Sequence, residues 1–209
     1  MSHYFIDDKN LKHNIQKRRF IIANQPIYLY TDNGVFSKDK IDFGTQLLIK
    51  CVDVNEHVKK IIDMGCGYGP IGIYFAKNYK HLHTYMYDCN LRAVELSQKN
   101  IELNRLDNSS VQESYLFENV DQMADLIITN PPIRAGKAVV FKLYEQAYNH
   151  LNPGGALYVV IQKKQGAPSS VKKIEEIFAS CSIICKNKGY WILLAKKSLW
   201  LIDYLNVLW

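Results

Sequence analysis

The stretch Lys60-Ile-Ile-Asp-Met-Gly-Cys-Gly-Tyr-Gly-Pro70 constrains the fold of this chain more than any other. Its first five residues read as a short buried strand. Glycines at 65, 67 and 69 then permit a tight turn in which backbone can approach a ligand closely. Pro70 suits the first position of a helix, where its missing N–H would have no intrahelical partner in any case. A strand that turns through glycines into a helix is the opening unit of an α/β sheet with a ligand at the helix N-terminus.

Two ligand types fit such a turn. Gly67-Tyr-Gly-Pro-Ile-Gly72 is itself a G-x-G-x-x-G, and Asp88 follows at roughly the distance of a ribose-binding acid, as in a dinucleotide oxidoreductase. That fingerprint starts directly after the strand, however, and would place its glycines at 65, 67 and 70, where position 70 is proline. The pattern actually present is Asp63-x-Gly65-x-Gly67-x-Gly69. Asp63, at the end of the strand, can hold a positively charged or amino-bearing group. Asp88, at the carboxyl end of the next strand, can accept both hydroxyls of a ribose.

The rest of the chain alternates in the same way. Phe20–Ala23 and Ile27–Tyr30, separated by Asn24-Gln-Pro26, predict a hairpin ahead of the main domain. Residues 45 to 52 predict a helix with Thr45 as its N-cap. Leu82 to Asp88 is a strand, and Asn90 caps a helix carrying Leu91, Val94, Ile101 and Leu103. Lys137 to Leu151 repeats apolar residues every four positions and stops at Asn152-Pro-Gly-Gly155. Ala156 to Ile161 is a strand, Val171 to Phe178 a helix, and Ile183 to Ala195 a hairpin around Asn187-Lys-Gly189. This order predicts a mostly parallel sheet with helices on both faces and one antiparallel strand from the last hairpin.

A second motif carries the chemistry. The apolar run Ala124-Asp-Leu-Ile-Ile-Thr129 ends in Asn130-Pro131-Pro132-Ile133. Consecutive prolines fix φ and bias the preceding residue toward extended backbone, so the Asn130 side-chain oxygen and the Pro131 carbonyl are presented stiffly at a strand end. Two aimed acceptors suit an exocyclic amino group, whose lone pair must be drawn out of conjugation before it can attack a methyl group.

Composition sets the outer bounds. With 209 residues and 48% apolar content the chain can build one domain with a full core. A formal charge of +6 is compatible with an anionic partner without naming one. The basic residues are spread over Lys17-Arg18-Arg19, Arg134 and Lys137, Lys163-Lys164 and Lys172-Lys173. The five cysteines form no CxxC pair and have no histidine at zinc-finger spacing, which predicts free thiols in a reducing compartment and no metal. No apolar stretch reaches membrane-spanning length, so the expected location is the cytoplasm and no membrane partner is expected.

Taken together, Gly34-Val-Phe-Ser37, Asp42-Phe-Gly-Thr-Gln-Leu-Leu48, the 63–72 loop, Asn130-Pro-Pro-Ile-Arg-Ala-Gly-Lys137 and Gln162-Lys-Lys-Gln-Gly-Ala-Pro168 resemble the class I S-adenosylmethionine-dependent methyltransferases. More narrowly, they are similar to the bacterial small-subunit ribosomal RNA guanine-N2 methyltransferase group and its single-domain relatives. Longer members of that group carry an extra amino-terminal copy of the domain. The resemblance covers about residues 1 to 197, with 1 to 44 as a hairpin extension, and leaves an apolar tail at 198 to 209. It implies a Rossmann-like seven-stranded sheet, S-adenosyl-L-methionine as cofactor, and ribosomal RNA or the small ribosomal subunit as partner.

Carried over residue by residue, the resemblance implies that Gly65, Cys66, Gly67 and Gly69 cradle the cofactor with Asp63 and Asp42 near its methionine end, while Asp88 takes its ribose. Many relatives place an aspartate after the third strand for the adenine amino group, and here Tyr115 stands at that place. Adenine would then fall to Tyr115, Glu113 or a neighbouring amide. Asn130 and Pro131, with Pro132 and Ile133, would take the target amine. Adenine and glutamine methyltransferases commonly carry an aromatic residue where this chain has Ile133, and isoleucine is usual in the guanine group. Phe36, Arg134, Lys137, Lys163 and Lys164 would hold the substrate base or its phosphates. The alternatives are adenine-N6 or protein-glutamine methylation, or a non-catalytic nucleotide- or RNA-binding module.

Overall fold

The computed structural model describes residues 11–199. The expected tail at 198–209 therefore falls almost wholly outside the described residues, as do residues 1–10.

A two-stranded ribbon comes first: β1 (Gln16–Ile22) pairs antiparallel with β2 (Gln25–Thr31). The turn is Ala23-Asn24, both with positive φ (45° and 67°), the two-residue geometry whose twist matches that of paired strands. The Asn24-Gln-Pro26 loop expected from composition is thus shorter, because Gln25 and Pro26 already belong to β2. Phe20, Ile22, Ile27 and Leu29 alternate onto one face of the ribbon and are buried there.

The main sheet contains β3 (Lys60–Met64), β4 (His83–Asp88), β5 (Ser109–Glu113), β6 (Ala124–Thr129), β7 (Leu151–Gln162), β8 (Ser182–Asn187) and β9 (Tyr190–Lys196). Their order is β5-β4-β3-β6-β7-β9-β8. Every pairing from β5 to β7 is parallel, and β9 runs antiparallel to both β7 and β8. The helices α1 (Phe43–Cys51), α2 (Pro70–Asn78) and α3 (Leu91–Leu103) cover one face together with the ribbon; α4 (Lys137–His150) and α5 (Ala167–Phe178) cover the other. Buried on both sides, β7 sends Ala156, Tyr158 and Val160 to the first layer and Leu157, Val159 and Ile161 to the second.

Two local expectations are corrected. The N-cap of α1 is Asp42, whose Oδ2 accepts the Thr45 N–H at 3.2 Å, so Thr45 lies inside the first turn. Both residue types cap well, and the acid one turn earlier takes the role. The Asn152-Pro-Gly-Gly155 segment ends α4 as expected, yet β7 already begins at Leu151 with a register shift opposite Ala124 and Leu126. Asn152 Nδ2 reaches Asp125 Oδ1 at 2.7 Å and holds that irregular start in the sheet.

Candidate active site

The chain reverses direction across the sheet between β3 and β6, and ligands of open α/β sheets settle outside the carboxyl ends at such a reversal. A cleft of about 760 Å³ lies there. Its floor comes from two adjacent strand ends. Met64 of β3 pairs with Thr129 of β6, and Thr129 Oγ1 donates to the Met64 carbonyl at 2.8 Å. One residue beyond each, the glycine loop and the Asn130-Pro131-Pro132 segment enter the cleft side by side.

The glycine loop is shaped from below. Gly65 and Cys66 N–H groups both donate to the Tyr87 carbonyl, at 2.8 and 3.0 Å, and Ser97 Oγ donates to the Gly67 carbonyl at 2.8 Å. Gly65 and Gly67 adopt φ of +73° and +59°, and a Cβ on either would meet no protein atom within 4 Å. The space beside them, on the cleft side, is therefore open. Gly69 differs from expectation. A Cβ there would lie 2.9 Å from Ile73 Cδ1 and 3.0 Å from Ser97 Oγ, so this glycine serves close packing of α2 and does not line the cleft.

Three acids were expected at the cofactor. Asp88 lines the cleft, its Oδ2 accepting the Gly67 N–H at 2.8 Å and its Oδ1 that of Asn90 at 2.9 Å. Burial raises its pKa, while the N–H groups of Asn90, Gly67 and Cys89 pull it back down. Asp42 also lines the cleft, and its Oδ1 accepts the Tyr190 hydroxyl at 3.3 Å. Asp63 is fully buried behind the loop instead of on the cleft wall. Its Oδ2 accepts the Gly72 N–H at 2.9 Å, and Oδ1 has no hydrogen-bond partner among the described residues. Burial pushes this carboxyl up to about 7, against the pull of the Gly72 N–H and with help from nearby Asp88. Cys66 lines the cleft as a neutral thiol, its pKa raised by burial and then by Asp88 and Asp63.

The acceptor side is similarly held. Asn130 Nδ2 donates to Thr45 Oγ1 at 3.0 Å, which turns the Asn130 oxygen away from α1. Pro132, with φ −75° and ψ 77°, is the centre of an inverse γ-turn in which the Ile133 N–H donates to the Pro131 carbonyl at 2.8 Å. The Pro131 oxygen thus has one internal donor that its sequence did not announce, and its second lone pair remains. Pro132 and Ile133 line the same wall.

Among the expected substrate contacts, Phe36 and Arg134 line the cleft and both are exposed. Tyr115 lines it as well, 46% exposed, with Lys142 Nζ 5.6 Å from its ring centre. Lys137, Lys163 and Lys164 are exposed but do not line the cleft. The two lysines occupy the turn directly after β7, whose neighbours Gln162 and Gln165 do line it. Sequence reasoning missed Thr45 as the orienting group, together with Gln162 and Tyr190. Tyr190 packs over α1 so tightly that a Cβ on Gly44 would lie 2.6 Å from its ring. The glycine at 44 was the one visible signal of that approach.

A seven-stranded α/β sheet with a glycine cradle and an Asn-Pro-Pro wall at one switch point defines the Rossmann-like methyltransferase class. Residues 26–194 match the methyltransferase small domain family, and the chain belongs to it. It is 47% identical over 197 residues to the Bacillus subtilis protein YbxB, covering 93% of this chain and 98% of that one. It is also 31% identical over 177 residues to ribosomal RNA small subunit methyltransferase C of Actinobacillus pleuropneumoniae, covering 82% of this chain. The chain spans about half the length of that relative, 53%. Among solved structures, the T. thermophilus 16S rRNA N2 methyltransferase RsmC in complex with AdoMet and guanosine superposes with a TM-score of 0.78 at 25% identity, over 88% of this chain and 50% of that one.

Proposed function

We propose that this chain transfers a methyl group from S-adenosyl-L-methionine to the exocyclic N2 of a guanine in 16S ribosomal RNA, in the cytoplasm and without a metal. The observation that carries the reading is the Asn130–Thr45 hydrogen bond, which engages the amide nitrogen of this cleft-lining residue and so leaves its oxygen as the acceptor, one strand away from an open glycine cradle.

The family and the open space at Gly65 and Gly67 support S-adenosylmethionine as the donor. When bound, it supplies an electrophilic methyl carbon on a sulfonium. Gly65, Cys66 and Gly67 would receive it along the loop, Asp88 would accept its ribose hydroxyls, and Asp42 would face its methionine end. Tyr115 would stack on the adenine. Asp63 would act from behind, fixing the Gly72 N–H at the start of α2.

The Asn130 oxygen and the free lone pair of the Pro131 carbonyl would accept the two amine hydrogens. They would align the nitrogen lone pair on the methyl carbon and stabilise the charge that develops on nitrogen. Such a pocket takes a base only from an unpaired or flipped nucleotide. Ile133, which offers no π-face, supports guanine over adenine or glutamine as acceptor, as does the similarity to a solved structure described as a 16S rRNA N2 methyltransferase with guanosine bound. Arg134, Lys137, Lys163 and Lys164 would hold phosphates around the mouth.

The test is tritium transfer from labelled S-adenosylmethionine to 16S RNA, with Asn130→Ala beside the wild type. The variant should lose at least about 100-fold in turnover while binding S-adenosylhomocysteine normally. Near-normal turnover would refute the assigned role. Mapping N2-methylguanosine in ribosomal RNA from cells lacking the gene would then identify the nucleotide.

A further inference from the structure

The inner face of the β1–β2 ribbon is spent on the core: Phe20 meets Tyr68 of the glycine loop at 6.3 Å between ring centres, and Asn100 of α3 bonds the Tyr30 backbone from both its side-chain atoms. The outer face is less engaged: Tyr30 is partly buried against the core, while Lys17, Arg19, Ile21, Pro26 and Tyr28 are exposed. Its register pairs Lys17 with Tyr30, Arg19 with Tyr28 and Ile21 with Pro26, so two cations stand directly across from two aromatic rings. Tyr28 is 45% exposed and Ile21 47%. Lys17 Nζ lies 5.3 Å over the Tyr28 ring. None of the six outward residues is acidic.

We infer that this outer face is a docking surface for a single-stranded stretch of RNA flanking the target nucleotide. The inference rests on the RNA reading above and adds a second contact region to it. Alternating cations and ring faces match the alternating phosphates and bases of an unpaired strand, whereas a protein partner would call for a more continuous apolar patch. The ribbon is also tied to the cleft. Arg18, on its inward side, bonds Asp39 at 3.0 Å, three residues from Phe36 in the loop that lines the cleft mouth. The Arg18–Asp39 pair thus fixes the ribbon relative to the loop at the cleft mouth, so a strand bound on its outer face would be held at a set position relative to the pocket.

The experiment measures fluorescence anisotropy of the full chain with a labelled oligouridine of about 20 nucleotides and with transcribed 16S RNA, across a salt series. The double variant Lys17→Glu/Arg19→Glu and the single variant Tyr28→Ala are compared with wild type. The double variant should bind oligouridine at least about tenfold more weakly, with a shallower salt slope, and Tyr28→Ala should bind severalfold more weakly at an unchanged slope. Melting temperature and S-adenosylhomocysteine affinity should be unaltered, since these side chains point away from the core.

Equal affinity and slope in all three proteins, or a wild type that binds no oligouridine at low salt, overturns the proposal. So does a change in solution mass in the double variant, which would make the face a contact between copies of this chain. The two readings fail separately. RNA held through the ribbon without methyl transfer to any RNA leaves the surface standing and removes the reaction; equal methylation of RNA by wild type and double variant, with equal affinity, does the reverse.

Discussion

The Asn130 side-chain amide donates to Thr45 Oγ1 at 3.0 Å, joining two residues 85 positions apart in the chain. Thr45 is 5% exposed and has its own backbone N–H fixed by Asp42, so the partner that orients Asn130 is itself immobile. Without that acceptor the amide could rotate and present a donor where the reaction needs an oxygen. Thr45→Val should lower turnover by roughly 10- to 100-fold and stability by about 1 kcal/mol, with cofactor affinity unchanged. Thr45→Ser should restore most of the rate. Equal kinetics for the valine and serine variants would remove the orienting role.

The glycines should separate by function. Gly65→Ala places a methyl group in open space with φ at +73°, costing about 1 kcal/mol of strain, and should abolish S-adenosylhomocysteine binding by calorimetry. In Gly72→Ala the new carbon would lie 2.5 Å from Met86 Sδ. Overpacking of that kind should cost about 1–3 kcal/mol in urea unfolding, with cofactor affinity reduced far less than in the first variant.

Asp63 gives the fold a pH signature. Its pKa is about 7 in the folded protein, raised by burial from an ordinary value of 3.8. Between these values the folded chain holds a proton that the unfolded chain has released, so this group's contribution is fully present below the ordinary value and drains away as pH climbs toward 7. The unfolding free energy from urea titrations should decline over that interval, by a few kcal/mol at most. Asp63→Asn should flatten this part of the profile. A wild-type curve that rises steadily from pH 4 to pH 7, unchanged by the substitution, would contradict the assignment.

Lys163 and Lys164 follow β7 at the rim, exposed and outside the cleft lining. Charge reversal at both should weaken binding of 16S RNA by about tenfold and reduce the salt slope by about one to two, without altering S-adenosylhomocysteine affinity. An unchanged slope would mean that these lysines face away from the nucleic acid.

The elements that were legible in advance are those with local causes. Residues 60–64, the start of α2 at Pro70 and the Asn90 cap follow from strand hydrophobicity, a fixed φ and a side chain that bonds the next turn. Thr45 was read as the cap of α1 although Asp42, an equally good one, stands three residues earlier, and helix propensity does not choose between them. Tyr190 with Asp42, and Thr45 with Asn130, were invisible because each pair is made by the sheet bringing distant segments together. Gly69 was misread for a similar reason: three evenly spaced glycines look equivalent until α2 and Met86 close over the last of them.

Because Met64 and Thr129 are neighbours in the ladder, the backbones that lead into the glycine loop and the Asn130-Pro131-Pro132 segment are one interstrand step apart, about 4.8 Å. Backbone pairing is stiff where side-chain packing yields, so the apolar layers above and below can be rebuilt at the expense of melting temperature while the reach between the two half-sites stays the same.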